Sequence, residues 1–127
     1  MSIAIKTTFA IAAGPALVSG THEGCAVKIT AAGTVDLCAD DGIPAGIVES
    51  IDTAANTCVV VRFGYALARI GATVTPGTHY WLASAADSRL DPAGSGTNCV
   101  GYIIGADAAA DTNFIPIIVH PRTEETA

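Results

Sequence analysis

Residues 24–30 read GCAVKIT and residues 77–83 read GTHYWLA, and each stretch opens a series of short apolar runs separated by small-residue turns. The two stretches align in one register, with Gly24 set against Gly77. Alternation of apolar and polar residues with period two is typical of β-strands that bury one face. The sequence therefore predicts an all-β chain in which one pattern is written twice.

The segments after each opening stretch have the same order in both units. Each unit has a glycine-centred apolar run, then a polar, alanine-rich turn, and then a closing β-branched run. In the first unit these are residues 45–48, 52–56 and 58–61, and in the second they are residues 100–103, 107–113 and 115–119. Two such units, about 24–64 and 77–120, predict a small β-barrel or sandwich with internal duplication. Chance similarity among β segments is the alternative.

The chain of 127 residues has room for one domain with one core. We expect residues 1–14 to form an extended N-terminal arm, 15–122 a single β domain and 123–127 a polar C-terminal tail. Pro116 interrupts the last apolar run. Because proline cannot donate to a ladder, residues 115–119 are expected to form an edge strand or to contain a bulge.

The N-terminal arm has one apolar face, since Ile3, Ile5, Phe9 and Ile11 share one parity. Such a strand can add to an open sheet edge of a neighbouring chain, where backbone hydrogen bonds supply affinity. These residues are therefore candidates for contact with a neighbour, and a place in the chain's own core is the alternative. A secretory signal is a competing interpretation of the same segment. No stretch approaches the ~18 apolar residues of a membrane span.

Charged residues make up only 14% of the chain, and the formal net charge is -6. A surface so poor in charge indicates that partners cover part of it. The excess of acidic residues argues against nucleic acid and against an anionic membrane, because both call for clustered Lys and Arg.

The residues that usually carry chemistry form no recognisable motif. Cys25, Cys38, Cys58 and Cys99 are widely spaced and form no C-x-x-C pair, so we expect buried thiols in a reducing compartment, with disulfides left open. The sequence has no G-x-S-x-G motif and no glycine-rich phosphate loop. We therefore expect no catalytic residue, no cofactor and no metal.

Four residues are candidates for an interface between subunits. Arg62, Tyr65 and Arg69 flank or interrupt the middle strand, and arginine and aromatic residues are enriched at interfaces. Solvated strand faces are the alternative for these positions. Trp81 points opposite to Tyr80 and Leu82, so it is either a core residue or an interface anchor.

One ordered set of motifs covers most of the chain, from about Gly20 to Val119. It comprises the N-terminal arm, G-x-x-V at 24–27, PAGIV at 44–48, VVV-x-FG at 59–64, G-x-x-Y-x-L at 77–82 and VGYI at 100–103. This order resembles the small capsid decoration, or cement, proteins of tailed bacteriophages. The chain departs from the usual pattern in its four cysteines and in the bulky Tyr80-Trp81 pair.

The resemblance implies a β-barrel-like or β-tulip domain that trimerises on the outside of the mature head. It would bind major capsid protein at threefold or quasi-threefold positions, with Ile3, Ile5, Phe9 and Ile11 as candidate capsid contacts. The expected location is the virion surface, after synthesis in the host cytoplasm. A tail-associated or receptor-binding β module is the main alternative, and a small ligand-binding barrel or enzyme is a further one.

Overall fold

The computed structural model describes residues 6–12, 17–39, 42–75, 77, 80–93, 98–104 and 114–122. These residues form nine strands, and no helix lies among them, so none of their elements is a helix that could span a membrane. The strands are β1 (Lys6–Ala12), β2 (Ala26–Ile29), β3 (Val35–Leu37), β4 (Gly46–Asp52), β5 (Thr57–Arg69), β6 (Trp81–Ser84), β7 (Leu90–Pro92), β8 (Cys99–Ile103) and β9 (Phe114–Arg122). The predicted all-β class is confirmed.

All nine strands belong to one antiparallel sheet. Eight of them follow the order β3-β2-β4-β5-β9-β8-β6-β7, and β1 pairs with β5 beside this path. In the first unit β2 pairs with β3 and β4, and β4 pairs with β5. In the second unit β6 pairs with β7 and β8, and β8 pairs with β9. The strand order is therefore the same in both units and reads as a palindrome about the β5-β9 pair.

The two ends of the sheet meet, as a small β-barrel requires. The amide of Ala26 donates to the carbonyl of Ser88 over 2.8 Å. The hydroxyls of Ser84 and Ser88 both donate to the carbonyl of Cys38, which follows β3. Both serines are buried, so these hydrogen bonds also satisfy their hydroxyl groups. These hydrogen bonds thus join β2 and the end of β3 in the first unit to the β6–β7 hairpin of the second.

The β4–β5 turn forms where the sequence predicts it. The side-chain oxygen Oδ1 of Asp52 accepts a hydrogen bond from the amide of Ala55 over 3.0 Å, and Asn56 adopts a positive φ of 56°. Asp and Asn favour turns because their short side chains bond nearby backbone and tolerate left-handed conformations.

Among the described residues, the buried apolar side chains form two clusters. Ile47 and Val61 belong to the larger cluster, whereas their chain neighbours Val48 and Val60 belong to the smaller one, and all four are fully buried. Neighbouring residues of a strand point to opposite faces of the sheet. The middle of the β4–β5 pair is therefore covered on both faces. Full burial of one such branched side chain contributes roughly 1.5–3 kcal/mol.

A β-bulge in β5 sets which of its side chains reach solvent. In the ladder with β1, Thr7 lies opposite Phe63 and Thr8 lies opposite Val61, so Arg62 is the extra residue. Arg62 and Phe63 are consequently both exposed, which strict alternation would forbid.

The alternation of β5 resumes with the opposite parity after the bulge. Val61 faces the larger core cluster before it, whereas Ala66 and Ala68 face that cluster after it. Tyr65 and Leu67 therefore lie on the outer face, where Leu67 is 52% exposed.

The structure corrects the alignment of the first strands of the two units. Val27 lies opposite Gly46, and Leu82 lies opposite Gly101. Val27 therefore corresponds to Leu82, whereas the predicted alignment set it against Tyr80. The glycines fix this correspondence, because both approach a neighbouring strand at the same place in their unit.

The expectation of an edge strand or bulge at 115–119 is wrong for most of this run. β9 lies between β5 and β8, and both neighbours pair with residues 117–119. Pro116 lies opposite Leu67 of β5, whereas the ladder with β8 ends at Ile103 opposite Ile117. Proline is thus accommodated because only one neighbouring strand pairs at its position.

Gly46→Ala and Gly101→Ala are each expected to lower the free energy of unfolding by about 3 kcal/mol. The added methyl group would collide with the carbonyl oxygen of Val61 or of Ile118, and both oxygens belong to paired strands that cannot shift alone. Urea unfolding followed by circular dichroism measures the effect.

Gly33→Ala is the matched control, because its φ of +81° is strained for alanine but its surroundings are open. We expect this control to cost about 1 kcal/mol. Equal stability of all three variants would contradict the close approach at Gly46 and Gly101.

Candidate functional site

The same row of side chains has opposite surroundings in the two units. In the first unit Ala26 lies opposite Ile47, and Ile47 lies opposite Val61. All three side chains are fully buried in the larger core cluster. This row therefore faces the interior of the protein.

The corresponding row of the second unit faces outward. Trp81 lies opposite Tyr102, and Tyr102 lies opposite Ile118. These three side chains are partly exposed, whereas their neighbours Leu82 and Ile117 are fully buried. The second unit thus presents large apolar side chains to solvent at the positions that the first unit buries.

Aromatic rings extend this row into a continuous patch. Tyr102 stacks on Tyr80 at a centroid distance of 5.1 Å and packs edge to face with Trp81 at 5.2 Å. His120 lies 6.0 Å from Trp81 and 5.3 Å from Phe63. Such edge and stacked pairs are favoured over isolated rings. We call Phe63, Tyr80, Trp81, Tyr102 and His120 the aromatic patch.

Two arginines lie at the rim of the aromatic patch. The guanidinium of Arg122 lies 4.4 Å from the centroid of the Trp81 ring, at cation–π distance. Arg62 is exposed by the bulge beside Phe63. A groove of about 350 Å³ opens there, lined by Ile29, Pro44, Ala45, Arg62, Phe63, His120 and Pro121.

A second groove lies further along β5 and has acidic walls. It measures about 310 Å³ and is lined by Glu23, Gly24, Glu49, Tyr65, Ala66, Leu67 and Phe114, which we call the acidic groove. Phe114 is 46% exposed, so this groove also offers apolar surface. Arg69 lies beside it, with its guanidinium 4.5 Å from the Phe114 ring and its Nε donating to the Glu23 carbonyl over 3.1 Å.

Charge is distributed unevenly over the sheet. The residues assigned to β5, β6, β8 and β9 include Arg62, Arg69, Arg122 and His120 but no Asp or Glu. By contrast, β3, β4 and β7 each contain a carboxylate. The outward face of these four strands therefore combines aromatic and arginine side chains, the types most enriched in the energetically dominant parts of protein interfaces.

Of the four interface candidates from the sequence, Trp81 belongs to the aromatic patch and Arg62 lies at its rim, whereas Tyr65 lines the acidic groove and Arg69 lies beside it. Arg62 is exposed, and Tyr65, Arg69 and Trp81 are partly buried. Trp81 is partly exposed and is not among the buried residues of the two core clusters, and its role as a core residue or an interface anchor stays a prediction. Participation of the four in a subunit interface stays a prediction.

Sequence reasoning missed most of the aromatic patch. The rings of Phe63 and His120 contact each other beside shifts in the ladders of β5 and β9, and such shifts have no clear signature in sequence. The sequence does contain a signal for the exposed position of Tyr102, since Tyr102 follows Gly101 as Ile47 follows Gly46. An aromatic residue at a position that its counterpart fills with an aliphatic one indicates a change of surroundings.

The N-terminal arm is part of the chain's own sheet. β1 pairs with β5, with Phe9 opposite Val60 and Ile11 opposite Cys58, and both of these β5 residues are buried. Ile3 and Ile5 lie outside the described residues. Contact of the arm with a capsid or a neighbouring subunit stays a prediction.

The side chains that could react chemically, the cysteines and His22, are buried or hydrogen-bonded within the fold. All four cysteines are buried, and burial raises the pKa of the Cys25, Cys38 and Cys58 thiols, which disfavours the reactive thiolate. His22 Nδ1 accepts a hydrogen bond from the Val18 amide over 2.9 Å. Within the described part of the chain, no three His, Cys, Asp or Glu residues are grouped to hold a metal ion.

Comparison with protein-family models and with curated proteins gives no match. The outward face itself is therefore the observation from which a function can be argued. Its chemistry suits binding to another protein surface, because it offers area, rigidity and arginine donors on a paired sheet.

Ile11→Cys is expected to form a disulfide with Cys58 of the same chain under mild oxidation. Directly opposite residues of an antiparallel pair have Cβ atoms about 4.5–5.5 Å apart, close to the span of a disulfide. Non-reducing electrophoresis should show a monomer whose mobility changes on reduction.

The control is Ile11→Cys combined with Cys58→Ser, which removes the partner thiol. A disulfide-linked dimer that this control abolishes would show that the arm pairs with β5 of another copy, contrary to the pairing of β1 with β5 within one chain.

Proposed function

We propose that this chain is a structural protein of a tailed-bacteriophage virion that binds the outer surface of the capsid and stabilises the expanded head. It acts as a homotrimer at threefold or quasi-threefold positions. Its partners are the major capsid protein and its own copies, and it uses no cofactor. It is made in the host cytoplasm and becomes part of the virion surface.

The outward face that contains the aromatic patch is the observation that carries this proposal. Tyr80 and Phe63 are 53% and 47% exposed, and they flank Trp81 in a run of contacting rings. Aromatic side chains lose little conformational entropy on binding and bury a large area, so clusters of them are typical binding hot spots. A rigid sheet that presents such a cluster suits a clamp between protein subunits.

The placement of the resemblance motifs supports the same function. Their apolar cores form the central part of the sheet, since residues 46–48 lie in β4, residues 59–63 in β5 and residues 100–103 in β8. The low charge content of 14% supports an assembled state, because a protein in a dense protein shell exposes less of its own surface to water.

Binding to expanded heads tests the proposal. The purified chain is mixed with expanded heads that lack decoration and with unexpanded heads as a comparison, and the particles are sedimented. We expect saturating, stoichiometric binding to expanded heads and a higher temperature of head disruption. Trp81→Ala should weaken binding about tenfold or more, because it removes the centre of the aromatic patch.

Val18→Ala is the matched control, since Val18 is an exposed aliphatic residue outside the outward face. It should bind as the parent does. Light scattering of the free protein should give three times the chain mass of 12.7 kDa. A stable monomer, or a protein that adsorbs to host cells and does not bind heads, would contradict the proposal.

A further inference from the structure

We infer that Ser88 holds the barrel closed, and that the barrel opens reversibly where this serine bonds to the first unit. The hydrogen bonds at this place join Ala26 and Cys38 to Ser84 and Ser88, and we call these four residues the barrel seam. The inference concerns the isolated chain and goes beyond the proposed function, on which it does not depend.

The β2–β3 and β6–β7 turns have the same hydrogen bonds. In the first turn the amide of Gly33 donates to the carbonyl of Thr30 over 2.9 Å. In the second turn the amide of Ser88 donates to the carbonyl of Ala85 over 3.0 Å. In both turns the residue that accepts this bond donates its own amide to the carbonyl four positions later. Ser88 therefore occupies the position in the second unit that Gly33 occupies in the first.

Serine at this position is conformationally strained. Gly33 and Ser88 have φ values of 81° and 67°, both in the left-handed region. Glycine adopts this region readily, whereas a Cβ atom makes it unfavourable. Turns that need such a residue accordingly favour glycine. Strain of this kind persists where the surrounding contacts hold the residue in place, so the contacts of Ser88 are expected to offset it.

The contacts that offset the strain cross the barrel seam. The hydroxyl of Ser88 donates to the carbonyl of Cys38, and the carbonyl of Ser88 accepts from the amide of Ala26. Ser88 is 2% exposed, so both bonds lie away from water. At Gly33, by contrast, no atom lies within 4 Å of the place that a Cβ atom would take. The serine hydroxyl thus has a partner that the corresponding position of the first unit lacks.

The barrel seam is also the place where the barrel can open most readily. Each neighbouring pair of strands in the order from β3 to β7 is joined by a β-ladder. At the seam the described residues are joined by individual hydrogen bonds, two of which come from serine hydroxyls. Regions with fewer backbone hydrogen bonds open at lower free energy than paired strands do. The bond from the Gly71 amide to the Leu90 carbonyl would keep β7 attached to the end of β5 in the open form.

Two buried thiols adjoin the barrel seam and can report its opening. Cys38 belongs to the seam and Cys25 precedes Ala26, and each cysteine is 1% exposed. Cys58 is equally inaccessible at 2%, but it lies in β5 with Ile11 and Ile51 paired on its two sides. A buried thiol reacts with a disulfide reagent when the structure around it opens. We therefore expect Cys25 and Cys38 to react before Cys58.

Two substitutions of Ser88 test the inference. Ser88→Ala keeps the strained conformation and removes the hydroxyl, so Cys25 and Cys38 should react about tenfold faster than in the parent. Ser88→Gly removes the hydroxyl but relieves the strain, so the same thiols should react about threefold faster. Folded protein is treated with a disulfide reagent for timed intervals, and peptide mass spectrometry measures the modification of each cysteine. Cys58 should react at the parent's rate in both variants.

Gly33→Ser is the matched control, because it places serine in the same left-handed conformation where no partner is in reach. Its cysteines should react as those of the parent do. If the serine acted only within its turn, Ser88→Gly would react no faster than the parent, and this result would overturn the inference. Acceleration of Cys58 together with Cys25 and Cys38 would also overturn it, because it would show that the whole fold opens.

Discussion

The extra residue Arg62 in β5 is the constraint on which the surface of this protein depends. Side chains of a strand alternate between two faces, and one inserted residue exchanges the faces for every later position of the strand. Val61 lies inside before the bulge, whereas Ala66 and Ala68 lie inside after it. Without the exchange, Phe63, Tyr65 and Leu67 would point into the core and the alanines would point to solvent. The bulge thus places large side chains outside and small ones inside.

The two units have the same strand order, but corresponding side chains are buried in one unit and exposed in the other. In the first unit β4 and β5 are buried on both faces at Ile47, Val48, Val60 and Val61, and the row of Ala26, Ile47 and Val61 packs in the larger core cluster. In the second unit the corresponding row, Trp81, Tyr102 and Ile118, lies at the surface, and two of its three side chains are aromatic. A duplicated scaffold therefore buries one copy of the row in its core and leaves the other copy at its surface. Because one row is buried and the other is exposed, the protein has a defined outward face although few of its residues are charged.

The sequence predicts the fold class because local signals are strong. Period-two runs mark most strands, and Asp52 and Asn56 mark the β4–β5 turn through their own side-chain and backbone preferences. The alternation at residues 6–12 likewise predicts a strand, which the structure contains as β1. Each of these signals depends on residues close together in the chain.

Features that the sequence does not predict depend on contacts between distant strands. The bulge at Arg62 is defined by the pairing of β5 with β1, and no local residue type announces it. Pro116 is tolerated in an inner strand because β8 ends before reaching it, which is a matter of relative strand length. The outward direction of Trp81 likewise depends on the register of β6 with β8. Pairing of this kind is set by the whole sheet, so the candidate surface emerges only with the structure.

The solvent accessibility of Trp81 tests the central claim, which is that the outward face becomes covered when the protein assembles. Trp81 is the single tryptophan of the chain, so its fluorescence reports on this face alone. Acrylamide quenching is measured on dilute protein, on concentrated protein and on protein bound to expanded heads, with the mass determined in parallel. We predict that quenching falls as the mass rises. Quenching that stays constant while the mass increases would contradict this assignment of the face.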